Sequence, residues 1–430
     1  MGSLARHWYR LSSSFWFLPG SIIAGATLLA LITIEVDARF VTAGALEAWP
    51  RMFGAGSAAS RSLLTAVAGS MITVAGTVFS ITLVALSLAS SQYSSRVLRN
   101  FMRDRTNQAV LGVFLGIFAY CLVVLRSIYG DGEDAFVPSV AVFLGLLLGF
   151  GGIGVLVFFI HHISQSIQAS QILEAVRRET CEAIDRVFPG PAGADAGIEE
   201  ATRSTDWHEA RRADATGYLQ YADYPRLLDI ARRHGVRLDV HNRIGDYVLV
   251  GDRLLSSSPA PPPGLGEEVS ECWTFGPQRT LEQDIGFGIR QLADVALKAL
   301  SPGVNDTTTA IMCVDTLTAI LSHLAARDLR FQGCDCDGVT WVQAHHPRFE
   351  GLLDEAFDQI RHSAGDNVAV LERLRWSLAA LDSRVSAPAR QAALRLHAER
   401  LQEIVNRELQ DPRDRARLHG SIESLLRELK

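Results

Sequence analysis

Four long apolar runs crowd into the first 160 or so residues: Ser14 to Ile34, Leu63 to Leu88, Ala109 to Leu125 and Val137 to Ile160. A helix needs about 20 mostly apolar residues to cross the hydrocarbon of a bilayer. The third run is the shortest, yet Val110 to Leu125 contains no charge. Arg6 and Arg10 precede the first run as they would in a signal peptide. That run instead continues through Ile32 and Ile34 into Glu35 without a small-residue cleavage site, which predicts a retained anchor. Residues 1–162 therefore read as a four-helix transmembrane domain.

Charge sets the orientation. Arg6, Arg10, Arg96, Arg99, Arg103, Arg105, Arg177 and Arg178 fall on the side shared by the N-terminus, the loop between the second and third helices, and the C-terminal region. The opposite loops hold Arg39, Arg51, Arg61 and Arg126 with most of the acids of this half. The positive-inside rule then predicts that both termini are cytoplasmic. Ten of the 41 basic and seven of the 47 acidic residues precede Ile163, leaving 31 and 40 for the rest. A net acidic soluble part excludes nucleic acid as a partner, because affinity there comes from neutralising phosphates. The six cysteines, Cys121, Cys181, Cys272, Cys313, Cys334 and Cys336, follow no disulfide framework and fit a reducing compartment.

Within the second span, Ser70, Thr73, Thr77, Ser80, Ser87 and Ser91 recur at three- and four-residue steps, with Val84 the one apolar interruption. Those steps keep to one helix face. Such a stripe either packs closely against another helix or lines a pore, where hydroxyls replace part of an ion's water shell. Gly112 and Gly116, and Gly145 and Gly149, have the spacing of tight helix crossings. No Asp, Glu, Lys or Arg lies in the middle of a span, which argues against ion-coupled transport. His161 and His162 close the fourth span as interface anchors.

Apolar residues from Ile167 to Val187 have helical spacing and predict a stalk over 163–188, with a Pro/Gly/Ala-rich linker from Pro189 to Gly197. A small mixed α/β subdomain is expected over 205–276, with strands at Thr216 to Tyr221, Val236 to His241 and Tyr247 to Val250 around a helix at Tyr224 to His234. The run Val269 to Phe275 is expected to rejoin that sheet. Residues 277–430 read as a helical domain, with amphipathic segments at Leu281 to Leu300, Thr307 to Ala325, Arg348 to Arg361, Val368 to Leu381, Ala387 to Leu409 and Pro412 to Leu429. The fold class is thus four transmembrane α-helices followed by a cytoplasmic α+β domain that is mostly helical.

Few residues suggest chemistry. Asn305 or Asp306 can cap the helix that begins at Thr307, and its free amides with Arg290 and Arg279 nearby in sequence could hold a small anion. Cys334 and Cys336 precede His345 and His346, but their one-residue spacing lacks the interval usual for zinc. No nucleophile elbow, Walker loop, dinucleotide fingerprint or paired-histidine protease helix is present, so neither an enzyme nor a cofactor is expected.

The stretch Gly69 to Arg105, the segment Gly217 to Gly251 and above all RTLEQDIGFGIRQLADVALKALSPGVNDTTTAIMCVD, Arg279 to Asp315, resemble the bacterial membrane proteins grouped as domain of unknown function 2254. The resemblance implies a bacterial membrane protein with four spans and a cytoplasmic domain, and it assigns no catalytic residue. The hydroxyl stripe, the uncharged spans and the large helical domain together predict a homo-oligomeric inner-membrane channel or channel-like transport protein. Its second helix would lie near the axis, with ions or a small anion as cargo or ligand. A membrane-anchored sensor or scaffold is the alternative from another class, and helix packing alone would then account for the stripe.

Overall fold

The computed structural model describes residues 16–40, 56–92, 105–129, 136–166, 168–190, 206–329, 335–336 and 339–429. Arg6, Arg10, Arg96, Arg99, Arg103, Cys334, most of the expected linker and the side chain of Ser91 lie outside them. The chain divides into two compact units, Met1–Gln168 and Ala169–Lys430.

The first unit is built from α1 (Phe17–Phe40), α2 (Ser57–Gln92), α3 (Arg105–Ser127) and α4 (Ser139–Ser166). All four are long and apolar enough to cross a membrane. The third helix is the hub: its Val110, Phe114, Ile117, Tyr120, Cys121 and Val124 are buried, and it packs against the other three. Gly112 and Gly116 abut Pro19, Ile22 and Ala26 of α1, while Gly145 and Gly149 of α4 abut Leu64 and Val67 of α2. The small residues thus stand where helix backbones or neighbouring side chains come closest. At one end Asp37 of α1 accepts hydrogen bonds from the amides of Val140 (3.1 Å) and Ala141 (2.9 Å), satisfying the open first turn of α4. Tyr120 donates to the Ala141 carbonyl at 3.0 Å.

The second unit opens with α5 (Ala169–Val187), the segment expected as a stalk. Its Leu173, Val176, Thr180, Ala183 and Ile184 are buried, and it packs on α8 (Ile285–Ala299) and α9 (Thr307–Ala325). It is therefore a core helix of this unit, separate from α4. Gly288 of α8 faces Thr180 of α5 with no room for a methyl group between them. A fifth helix, α9, meets the length and hydropathy of a span. It is enclosed instead by α5, α8, α10 (Phe349–Ala364) and α11 (Val368–Asp382). The array is completed by α12 (Pro388–Glu408) and α13 (Pro412–Glu428).

Around α6 (Tyr224–His234) the mixed part holds β1 (His208–Arg212), β2 (Gly217–Ala222), β3 (Arg237–Val240), β4 (Tyr247–Val248), β5 (Arg253–Ser258) and β6 (Trp273–Gly276). Between β5 and β6 run a short helix, α7 (Leu265–Glu268), and a 3-10 turn at Val269–Cys272. Local chemistry fixes α6: Asp223 caps its start, Pro225 sits in the first turn, and Gly235 closes it at φ 63°. One sheet has the order β4-β2-β6. Between α9 and α10 lie β7 (Asp335–Cys336) and β8 (Val339–Thr340), which form a two-stranded sheet of their own, and β9 (Val342–Ala344). The third sheet, β1-β5-β3-β9, takes β9 as its last strand, parallel to β3. The sheet and helix segments are therefore interleaved in sequence, and the region expected to be wholly helical after 277 returns a strand to the sheet.

An ionic knot joins the sheet turn to the helices. Asp284 caps α8 through the Phe287 amide at 3.0 Å and receives both Arg279 Nε (2.7 Å) and Nη2 (2.9 Å). Gly245, at φ +95°, lies directly against this pair.

Candidate functional site

Every stripe residue with a described side chain, Ser70, Thr73, Thr77, Ser80 and Ser87, is exposed on the single chain. The opposite face of α2 is the packed one, with Leu64, Ala68, Met71, Ala75, Val78 and Ala85 buried. Packing within the chain therefore does not explain the stripe. Ser70, Thr73 and Thr77 donate their hydroxyls to the carbonyls of Ala66 (2.7 Å), Gly69 (2.8 Å) and Thr73 (3.1 Å). A hydroxyl that gives its proton inward keeps lone pairs turned outward, so these three positions offer acceptors. Gly69 and Gly76 leave open space on the same helix. Ile72, Phe79 and Leu83 are also exposed beside the stripe, and Val84 is exposed within it, so the hydroxyl face is interrupted and flanked by apolar surface.

The corner residues are not gathered into one site. Asp306 caps α9, accepting from the Thr309 amide at 3.0 Å and its hydroxyl at 2.5 Å. Those bonds hold its carboxyl below the usual range, the side-chain bond most of all. Asn305 takes the left-handed conformation at φ 48°, as Asn tolerates in a sharp turn. Thr307 accepts from Asn367 at 2.7 Å. Arg290 is committed elsewhere, to Asp294 at 2.8 Å, to Gln359 at 3.0 Å and to Glu355 at 3.8 Å. Capping accounts for Asp306 and Thr309 here, so Asp306→Ala should destabilise the second unit by about 1 kcal/mol, measured as a shift in its urea unfolding midpoint.

Three clusters went unseen in the sequence. Ser256, His241 and Asp239 meet in the sequence of contacts of a hydrolase triad: His241 Nε2 is 2.7 Å from Ser256 Oγ, and Nδ1 is 3.8 Å from Asp239 Oδ2. Ser256 is fully buried on an inner strand, so its hydroxyl positions the imidazole and presents no surface to a substrate. His345 lies 3.5 Å from the other oxygen of Asp239, which raises its pKa. His346 is buried beside the rings of Phe188 and Tyr224, and burial lowers its pKa to about 4. The adjacent imidazoles are thus engaged apart from one another.

Asp354, Asp358 and His397 come close enough to hold a cation. Arg400 already reaches Asp354 at 3.0 Å and Asp358 at 3.3 Å, and Arg361 reaches Asp358 at 2.8 Å. Two guanidiniums supply the positive charge a metal would bring, so the cluster is a closed ion network. Asp185 similarly joins α5 to α9 through His323 (2.6 Å) and Arg327 (2.5 Å).

A bundle of apolar helices whose central member is buried by the others, followed by a mixed and mostly helical unit, defines a multi-pass membrane protein. The chain belongs to the family described as Predicted membrane protein (DUF2254), whose model matches residues 12–380. It is similar to Uncharacterized protein Rv1290c of Mycobacterium tuberculosis and to Uncharacterized protein Mb1321c of Mycobacterium bovis. Each is 35% identical over 374 residues, covering 84% of this chain and 71% of the relative. No solved structure matches the chain.

Proposed function

We propose that the protein is a homo-oligomeric channel of the bacterial inner membrane, with α2 from each protomer facing the axis. The observation that carries this reading is the exposure of Ser70, Thr73, Thr77, Ser80 and Ser87 on the face of α2 opposite its packed side. Polar hydroxyls repeated around an axis form rings of oxygen acceptors, and such rings can take over part of the hydration shell of a cation. In this arrangement the apolar residues beside the stripe meet lipid or the next protomer. Both termini are cytoplasmic in this reading, by the arginine distribution.

Cysteines placed at Thr73, Thr77 and Ser80 should react with a hydrophilic thiol reagent applied to the protein in lipid, and cysteines at Ile72 and Leu83 should react far less. The native Cys121, Cys181, Cys334 and Cys336 are first replaced by serine, so that the introduced thiols alone report. Equal protection of all five positions would overturn the pore reading and favour a scaffold in which the stripe is sealed by packing. Reporter fusions after Arg105 and at the C-terminus should both read the cytoplasm, and fusions near Gly56 and Gly132 the outside; a periplasmic C-terminus would overturn the orientation.

A further inference from the structure

One turn of the second unit presents apolar side chains where turns usually carry polar ones. Tyr247, Leu249 and Val250 are 58%, 54% and 63% exposed, a cluster within four residues. Scattered exposed apolar residues are ordinary, but contiguous ones mark contact surfaces. The backbone of this turn is held by other groups. The Leu249 amide donates to Asp252 at 2.8 Å, the Val250 amide to Thr216 at 3.1 Å, and the Gly251 amide to the Ala213 carbonyl at 2.9 Å. Gly251 supplies the left-handed position at φ +92°. Tyr247 is braced edge-on by Tyr218, with ring centroids 5.0 Å apart. The fold therefore fixes the turn without using the side chains of Leu249 and Val250, which are left to point outward.

We propose that this turn is an interfacial anchor that dips into the headgroup region of the bilayer. Three side chains fall well short of the roughly 800 Å² per partner that a standard protein interface buries, whereas shallow insertion of a few apolar residues suffices for interfacial binding. A tyrosine next to two aliphatic residues matches the amphipathic chemistry of the membrane–water boundary. The unit is also tethered to a membrane-spanning helix, since only residues 167 and 168 separate α4 from α5 in the sequence. Charge does not select the lipid, since Arg212 and Arg253 beside the turn are paired with Glu209.

The test uses the full chain in vesicles of phosphatidylcholine, with Cys181, Cys334 and Cys336 replaced by serine and one polarity-sensitive fluorophore attached through Val250→Cys. A control carries the fluorophore through Val304→Cys, another exposed apolar position of the same unit. Nitroxide placed near the lipid headgroups should quench the probe at 250 at least about twofold more than the probe at 304, and aqueous iodide should quench it less. Equal quenching of both positions by iodide, with none by lipid nitroxide, would overturn the proposal. Protection from both quenchers, with energy transfer between differently labelled copies, would overturn it in favour of a second copy of the chain.

Discussion

Arg279→Ala should destabilise the second unit by about 3–5 kcal/mol, the range found when one partner of a buried ion pair is removed. Asp284 is only 5% exposed and has two guanidinium bonds, from Nε at 2.7 Å and Nη2 at 2.9 Å. Without them a carboxylate remains in a site that already raises its pKa by burial, against the opposing pull of Arg279. The sign follows from linkage. A carboxyl whose folded pKa lies above its unfolded value binds protons more readily when folded, so its penalty grows as pH rises through that interval. Loss of Arg279 removes the opposing pull and raises the folded pKa further. The variant should therefore recover part of its deficit at mildly acidic pH relative to pH 8, read from urea midpoints at both. A pH-independent loss of the same size would assign Arg279 a packing role, through its contact over the Phe287 ring.

Gly245→Ala should come close to the same effect through the backbone. At φ +95° any residue with a Cβ is strained, which costs about 1–2 kcal/mol in the left-handed region. The new methyl would also run into the Asp284 carboxylate, with Cγ at 2.9 Å, and into Arg279 Nε at 3.0 Å. Overpacking of that kind adds about 1–3 kcal/mol. The knot gives the collision nowhere to relax, because Asp284 is fixed by both the helix cap and the arginine. Gly251→Ala is the control: its φ is +92°, yet no atom lies within 4 Å of the position its methyl would take, so it should show the strain alone. Equal losses at the two glycines would contradict the collision argument.

Periodicity carried most of the helical architecture. The four apolar runs became α1 to α4, and the helix expected from Thr307 to Ala325 has those ends, since Asp306 supplies the cap and the apolar positions keep their spacing. Strands with alternating or aromatic residues were also legible, as in Gly217–Ala222. Three were not. His208–Arg212 reads as a charged loop. Arg253–Ser258 contains two serines that are completely buried, because β5 is an inner strand. Val342–Ala344 is short, and its partner β3 lies about a hundred residues earlier in the chain. Short strands stabilised by distant pairing leave little local signal. The stripe on α2 could be read from spacing, but its exposure depends on which face α3 and α4 cover. Gly245, Arg279 and Asp284 each look ordinary in sequence, and their shared site exists only once the sheet turn meets α8.

Conductance tests the central claim most directly. The purified protein is reconstituted into planar bilayers, beside variants with Thr77→Trp on the stripe and Leu83→Trp on the adjacent apolar surface. The channel account predicts discrete cation-selective currents that Thr77→Trp reduces or abolishes and Leu83→Trp leaves unchanged. Electrically silent bilayers containing correctly assembled protein in every lipid tested, or currents indifferent to Thr77→Trp, would contradict it.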